Sequence, residues 1–105
     1  MTTYFFVAAS EKFLTVDEPL EEILKERERN YKENNKEKDF WLLKNPSFLK
    51  SNQFIDLTKK IPSPPAAVIS TDKKFITFLK LRLEFVAVGE FECPNAEIKD
   101  PLKVE

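Results

Sequence analysis

The sequence predicts a single small domain of the mixed α/β type, a sheet with helices on both faces. Three observations carry that expectation. The chain has 105 residues, 42% of them hydrophobic and ten of them Phe, which is enough for one modest core. Three short runs, TYFFVAA, FWLL and AAVIS, are apolar on both alternating faces, so a strand made from any of them needs cover on both sides. Segments with helical spacing follow each run, giving the order strand–helix–strand–helix–strand–helix. On pattern alone, that alternation favours parallel strands.

Thr3–Ala9 is the first strand, with Tyr4, Phe6 and Ala8 on one face and Phe5, Val7 and Ala9 on the other. Residues 10–16 connect it to a helix. Asp17 is the expected N-cap of that helix, and Pro19 sits in its first turn, where the missing N–H does no harm. Leu20, Ile23, Leu24, Arg27 and Tyr31 then recur at helical spacing. Glu18, Glu21 and Glu22 precede Lys25, Arg27, Arg29 and Lys32, an order that complements the helix dipole. Asn34-Asn35 ends the helix, and its charge run reads as a solvated face.

Phe40–Leu43 reads as a central strand broken by Asn45-Pro46, with Phe48 and Leu49 anchoring the loop that follows. Phe54, Ile55, Leu57 and Ile61 suggest a short helix ended by Pro62, Pro64 and Pro65. Ala66–Ser70 is the third strand, with no polar face. Thr71 or Asp72 then caps a long segment without a turn signal until Gly89. From Lys73 to Val88 is too long for an ordinary strand. It is therefore read as a helix, even though LKLRLEF within it alternates like a strand. The domain is placed at 1–92, with 93–105 as an extended or poorly ordered tail containing two prolines.

Composition removes whole classes of function. Lys and Arg number 17 against 18 Asp and Glu, a net charge of −1, which disfavours nucleic acid as a partner. No polybasic anchor for anionic lipid stands out. No run approaches the length needed to span a bilayer, and the first residues lack the basic start of a secretory signal. The single cysteine, Cys93, allows no internal disulfide and fits a reducing compartment. There is no histidine and only one glycine, Gly89. Histidine is the commonest general base and transition-metal ligand, and phosphate-cradling loops need several glycines. No carboxylate spacing of the EF-hand kind appears, and a di-iron centre built from Glu-x-x-His pairs is impossible. Cys93 has no local base and reads as an inert thiol. The residues thus describe a non-enzyme that binds something, with no cofactor and no metal.

One residue breaks the pattern. On a helix over 73–88, Lys73, Thr77, Lys80 and Glu84 share one side, while Phe75, Ile76, Phe78, Leu79, Leu83, Phe85 and Val86 occupy the other. Arg82 falls in the apolar sector, and a guanidinium cannot shed its charge on burial. Three readings stand open: Arg82 snorkels from the edge of the stripe, pairs internally with a carboxylate such as Asp39, or stands on an exposed, part-apolar surface that a partner covers. Asp39-Phe40-Trp41 raises a related question, because adjacent strand residues point to opposite faces. Trp41 is assigned to a strand covered on both sides, and Phe40, at the strand's mouth beside Asp39, is expected to be partly exposed.

TTYFFVAASEKFLT, EPLEEILKER, DFWLLKNPSFL and PPAAVISTDKKFITFLKLRLEF, followed by GEF, together resemble one family over nearly the whole chain. It is the small conserved chloroplast-reading-frame family of cyanobacteria, algae and plants. The resemblance implies an α+β fold, a single compact domain with a small antiparallel or mixed sheet of three to four strands flanked by helices, in place of the parallel arrangement. It implies a non-catalytic accessory subunit of the aerobic magnesium-protoporphyrin IX monomethyl ester oxidative cyclase of chlorophyll biosynthesis, the enzyme that yields protochlorophyllide. The implied partner is the membrane-associated di-iron catalytic subunit, whose assembly, stability or activity it supports. Other enzymes of chlorophyll synthesis are further candidate partners. The implied binding surface centres on Asp39, Phe40 and Arg82. The implied location is the cytoplasm or plastid stroma, beside the thylakoid membrane through the partner and without insertion. The alternative reading is a carrier for a porphyrin intermediate.

Overall fold

The computed structural model describes every residue from Met1 to Glu105. Four strands, β1 (Thr2–Ser10), β2 (Phe40–Lys44), β3 (Pro65–Ser70) and β4 (Ala87–Cys93), and three helices, α1 (Leu20–Glu33), α2 (Ile55–Lys59) and α3 (Lys73–Leu83), build one compact α+β domain. A π-helical turn at Phe13–Asp17 and a 3₁₀ turn at Ser47–Lys50 complete it.

The sheet order is β2-β3-β1-β4 and every neighbouring pair is antiparallel. The parallel arrangement favoured by pattern alone is therefore corrected, and the reason is topological. β1 and β2, joined through α1, do run in the same direction, but β3 lies between them. β3 and β4, joined through α3, are likewise parallel with β1 between them. Two split βαβ units interlock, so each helix crossover is real while no parallel pair touches. For the same reason Phe40–Leu43 is an edge strand and not a central one.

The sheet is covered on both faces, as the apolar runs require. On one face Val7, Phe40, Ala66 and Val68 pack under Leu20, Leu24 and Tyr31 of α1 and Phe75, Ile76, Leu79 and Leu83 of α3. On the other, Phe6, Ala8, Leu43, Ala67, Ile69 and Phe91 pack against Phe48, Leu49, Phe54 and Ile98. Phe6 is the hub of that second core, 4.9 Å from the Phe48 ring and 5.0 Å from Phe54 between centroids. Edge-on aromatic pairs at such distances add to the burial energy.

Three boundaries differ from expectation. α1 begins at Leu20 with Pro19 before it, and Asp17 ends the π-helical turn without capping the helix. α3 stops at Leu83, where Glu84 turns to φ 60°, and the chain enters β4, whose ladder with β1 runs from Ala8–Ala87 to Thr2–Cys93. The expected helix to Val88 is thus five residues too long. The segment after residue 92 is docked and not loose. Cys93 and Ile98 are buried in the second core, and Val104 bridges to Pro46.

Candidate interaction surface

α3 is held by Asp72, whose Oδ1 accepts the backbone N–H of Lys74 at 3.0 Å as its N-cap. Phe75, Ile76, Leu79 and Leu83 face the sheet and are buried. Of the remaining apolar side chains, Phe78 is 52% exposed, Leu81 71% and Phe85, just past the helix, 83%. Arg82 is also exposed. It lies four residues after Phe78, so these two side chains are neighbours on the helix surface. Its side chain makes no hydrogen bond and no ion pair within the chain. The reading in which Arg82 pairs internally with Asp39 is therefore excluded.

Asp39 and Phe40 sit elsewhere on the same side of the sheet. Asp39 is half-buried, and its Oδ1 accepts from the Tyr31 hydroxyl at 3.0 Å. Its backbone carbonyl accepts from Thr71 N–H at 3.1 Å. Phe40 is 1% exposed, which corrects the expectation that it would reach the surface. It packs edge-on against Tyr31 at 5.4 Å and Phe75 at 5.7 Å. Phe75 links this corner to α3, but Arg82 lies two helical turns further on, about 10 Å along the axis. Asp39 and Phe40 thus form one cluster, and Arg82 stands apart from it on the same helix layer.

A third element was not singled out by the sequence reading. Arg27 Nη2 donates to the Tyr31 hydroxyl at 2.8 Å and to Asp72 Oδ2 at 3.0 Å. Its guanidinium carbon lies 3.9 Å from the Phe75 ring centroid, with Tyr31 and Phe40 at 5.0 and 5.4 Å. These aromatic faces attract the cation, and they surround an Nε that is buried without an acceptor. The chain Asp39–Tyr31–Arg27–Asp72 ties the end of α1, the mouth of β2 and the cap of α3 together. Burial, and then the hydrogen bond donated to Asp39, push the Tyr31 phenol above its ordinary range, while Arg27 pulls the other way. The signal was present: Arg27 occupies the apolar stripe of α1, just as Arg82 occupies that of α3.

Where the β1–β4 ladder ends, a cavity of about 580 Å³ opens between Ala8–Ser10, Phe85 and Val88 on one side and Leu57, Ile61 and Pro62 on the other. No cluster of three or more acidic, Cys or His side chains converges anywhere in the molecule, and no helix is long and apolar enough to cross a membrane. The arrangement offers surfaces and a groove.

Comparison with known proteins gives a consistent result. The family described as "Ycf54 protein" matches residues 2–93. A "Ycf54-like protein" of Synechocystis sp. (strain ATCC 27184 / PCC 6803 / Kazusa) is 50% identical over 102 residues, which cover 97% of this chain and 77% of that one. "Protein YCF54, chloroplastic" of Arabidopsis thaliana is 38% identical over 97 residues, covering 91% of this chain and 45% of the plant protein. The solved structure of the All0216 protein from Nostoc sp. PCC 7120 superposes with a TM-score of 0.95 at 52% identity, over 98% of this chain and 95% of that one.

Proposed function

The chain belongs to the Ycf54 family, and from that premise we propose that it is a non-catalytic accessory subunit of the aerobic magnesium-protoporphyrin IX monomethyl ester cyclase of chlorophyll biosynthesis. It binds the di-iron catalytic subunit and supports its assembly, stability or activity. It lies beside the thylakoid membrane through that partner, in a cyanobacterial cytoplasm or a plastid stroma.

The observation that supports this reading most directly is Arg82, a cation without an intramolecular side-chain partner, beside exposed Phe78 on α3, with Leu81 on the same helix and Phe85 just past its end also exposed. Arginine and aromatic side chains are enriched where proteins dock, and large apolar side chains exposed together on one helix face are uncommon on a free surface. In this reading Arg82 is a contact residue. Asp39 offers the partner its Oδ2, which receives no hydrogen bond within the chain. Phe40 acts from beneath, by holding Phe75 and with it α3.

The experiment is genetic and biochemical. A tagged copy in a pigment-making cell is expected to bring down the di-iron subunit, and loss of the protein is expected to make the magnesium-porphyrin monomethyl ester accumulate. A cell without the protein that makes protochlorophyllide at the normal rate, with no ester build-up, contradicts the proposal.

A further inference from the structure

Phe78 belongs to two surfaces at once. It lies one turn before Arg82 on α3, and it lines a cleft of about 370 Å³ between α3 and α1. Ile23 lines the same cleft from α1. So do Arg27 and Phe75, the guanidinium carbon of one lying 3.9 Å from the ring centroid of the other. Asp72 holds Arg27 at 3.0 Å, so this part of the lining is fixed before anything binds. A site whose groups are already held in place loses less freedom on binding.

Helix geometry sorts the charges of α3 onto two flanks. At about 100° per residue, Lys74, Phe78 and Arg82 follow one another a turn apart along the flank that borders α1, and Lys74 also lines the cleft. Lys73 and Lys80 lie on the other flank. Lys74 and Arg82 are exposed, and neither is in any of the six ion pairs of the molecule. α3 carries no carboxylate, and Glu84 follows its last residue. The carboxylate in the cleft, Asp72, is taken up by Arg27. On α1, Glu26 is taken up by Arg29, and Glu22 shares the outer groove of that helix with Lys25. The α1-facing flank of α3 thus presents two unpaired cations, one on either side of an aromatic ring that is half exposed.

We infer that this cleft takes one bulky apolar side chain of the di-iron subunit, seated between Ile23 and Phe78, from a segment whose flanking carboxylates meet Lys74 and Arg82. The inference rests on the accessory-subunit reading and extends its contact surface from Arg82 across the seam to α1. Lys74 and Arg82 are eight residues apart, about 12 Å along the helix axis, which sets the spacing of the acidic groups. An apolar anchor in a pocket carries most of the affinity of such a contact. The flanking charges orient the segment and speed its capture.

The test measures Kd between the whole purified protein and the detergent-solubilised di-iron subunit. Phe78→Ala and Lys74→Glu change exposed side chains, and unchanged melting curves confirm that each variant is folded. Each is expected to weaken binding about tenfold or more, and Lys74→Glu more than Lys74→Gln. Lys80→Gln, on the other flank of α3, is expected to leave Kd unchanged. If Arg82→Ala weakens binding while Phe78→Ala and Lys74→Glu do not, the cleft is not part of the interface, and the accessory-subunit reading survives without it. Tighter binding by Lys74→Glu means a basic occupant and overturns the inference. If Lys74→Glu leaves Kd in detergent unchanged but abolishes sedimentation with phosphatidylglycerol vesicles, the flank meets lipid and the inference is again overturned. If the wild-type protein shows no affinity for the subunit, the reading and the inference fall together.

Discussion

Asp72 holds Arg27 with one carboxylate oxygen and the first turn of α3 with the other, each at 3.0 Å. One side chain thereby fixes the helix that carries Arg82 to the helix that precedes β2. Arg27→Ala removes the cation from between three aromatic rings and leaves Asp72 half-buried without its partner. It is expected to cost about 1–3 kcal/mol, read as a lower midpoint in urea at unchanged slope. Asp72→Asn keeps a capping oxygen and loses only the ion pair, so its loss is expected to be smaller.

Gly89, the one glycine, faces Phe6 across the β1–β4 ladder. A Cβ there lies 2.6 Å from Phe6 Cζ and 2.8 Å from Cε2. Phe6 is fully buried within the ring cluster of the second core, so it has nowhere to retreat. Gly89→Ala is expected to destabilise by about 1–3 kcal/mol through overpacking, measured by thermal or urea unfolding.

Tyr31 gives a pH dependence with a definite sign. Its phenol titrates higher in the folded protein than in the unfolded chain, because burial and the bond to Asp39 favour the protonated form. Its contribution is complete below the ordinary tyrosine range near pH 10 and is lost as pH rises through the folded value. Stability is expected to fall on the alkaline side of pH 10. Tyr31→Phe, which keeps the ring beside Phe40, is expected to flatten that limb while lowering stability at neutral pH. An alkaline limb identical in the variant counts against this assignment.

Cys93 is 5% exposed, its Sγ–H donates to the Ile98 carbonyl at 3.3 Å, and burial raises its thiol pKa. Reactivity needs an accessible thiolate. A thiol reagent at neutral pH is expected to label it in the time course of unfolding, with no fast phase in the native protein and full labelling in denaturant.

Much of this molecule is legible in the sequence, and the parts that are not have physical causes. The doubly apolar runs TYFFVAA, FWLL and AAVIS do become strands covered on both faces, and Asp72 does cap α3. The strand neighbours were hidden, because two interlocked split βαβ units and a parallel sheet share the same alternation of elements. β4 was missed although GEFEC carries the period of two: Gly89, Phe91 and Cys93 point inward and Glu90 and Glu92 outward. The alternation in LKLRLEF, by contrast, belongs to a helix as far as Leu83. No glycine marks the end of α3; Glu84 takes the left-handed turn itself, so the boundary left no trace in composition. At the candidate site, Arg82 stands out in the sequence as a cation in an apolar sector, whereas Arg27 holds the same kind of position on α1 and is masked by the run of charges around it. Phe40 looked like a surface residue because it follows a charged stretch; long-range packing against Phe75 decides otherwise.

The central claim is that Arg82 is a docking contact and not a residue that maintains the fold. The most direct measurement pairs two readouts on Arg82→Ala: its Kd for the di-iron subunit and its melting temperature. The account predicts an affinity loss of about 2–5 kcal/mol, thirtyfold or more in Kd, with a melting curve matching the wild type. A lowered melting temperature together with an unchanged affinity per folded molecule contradicts it.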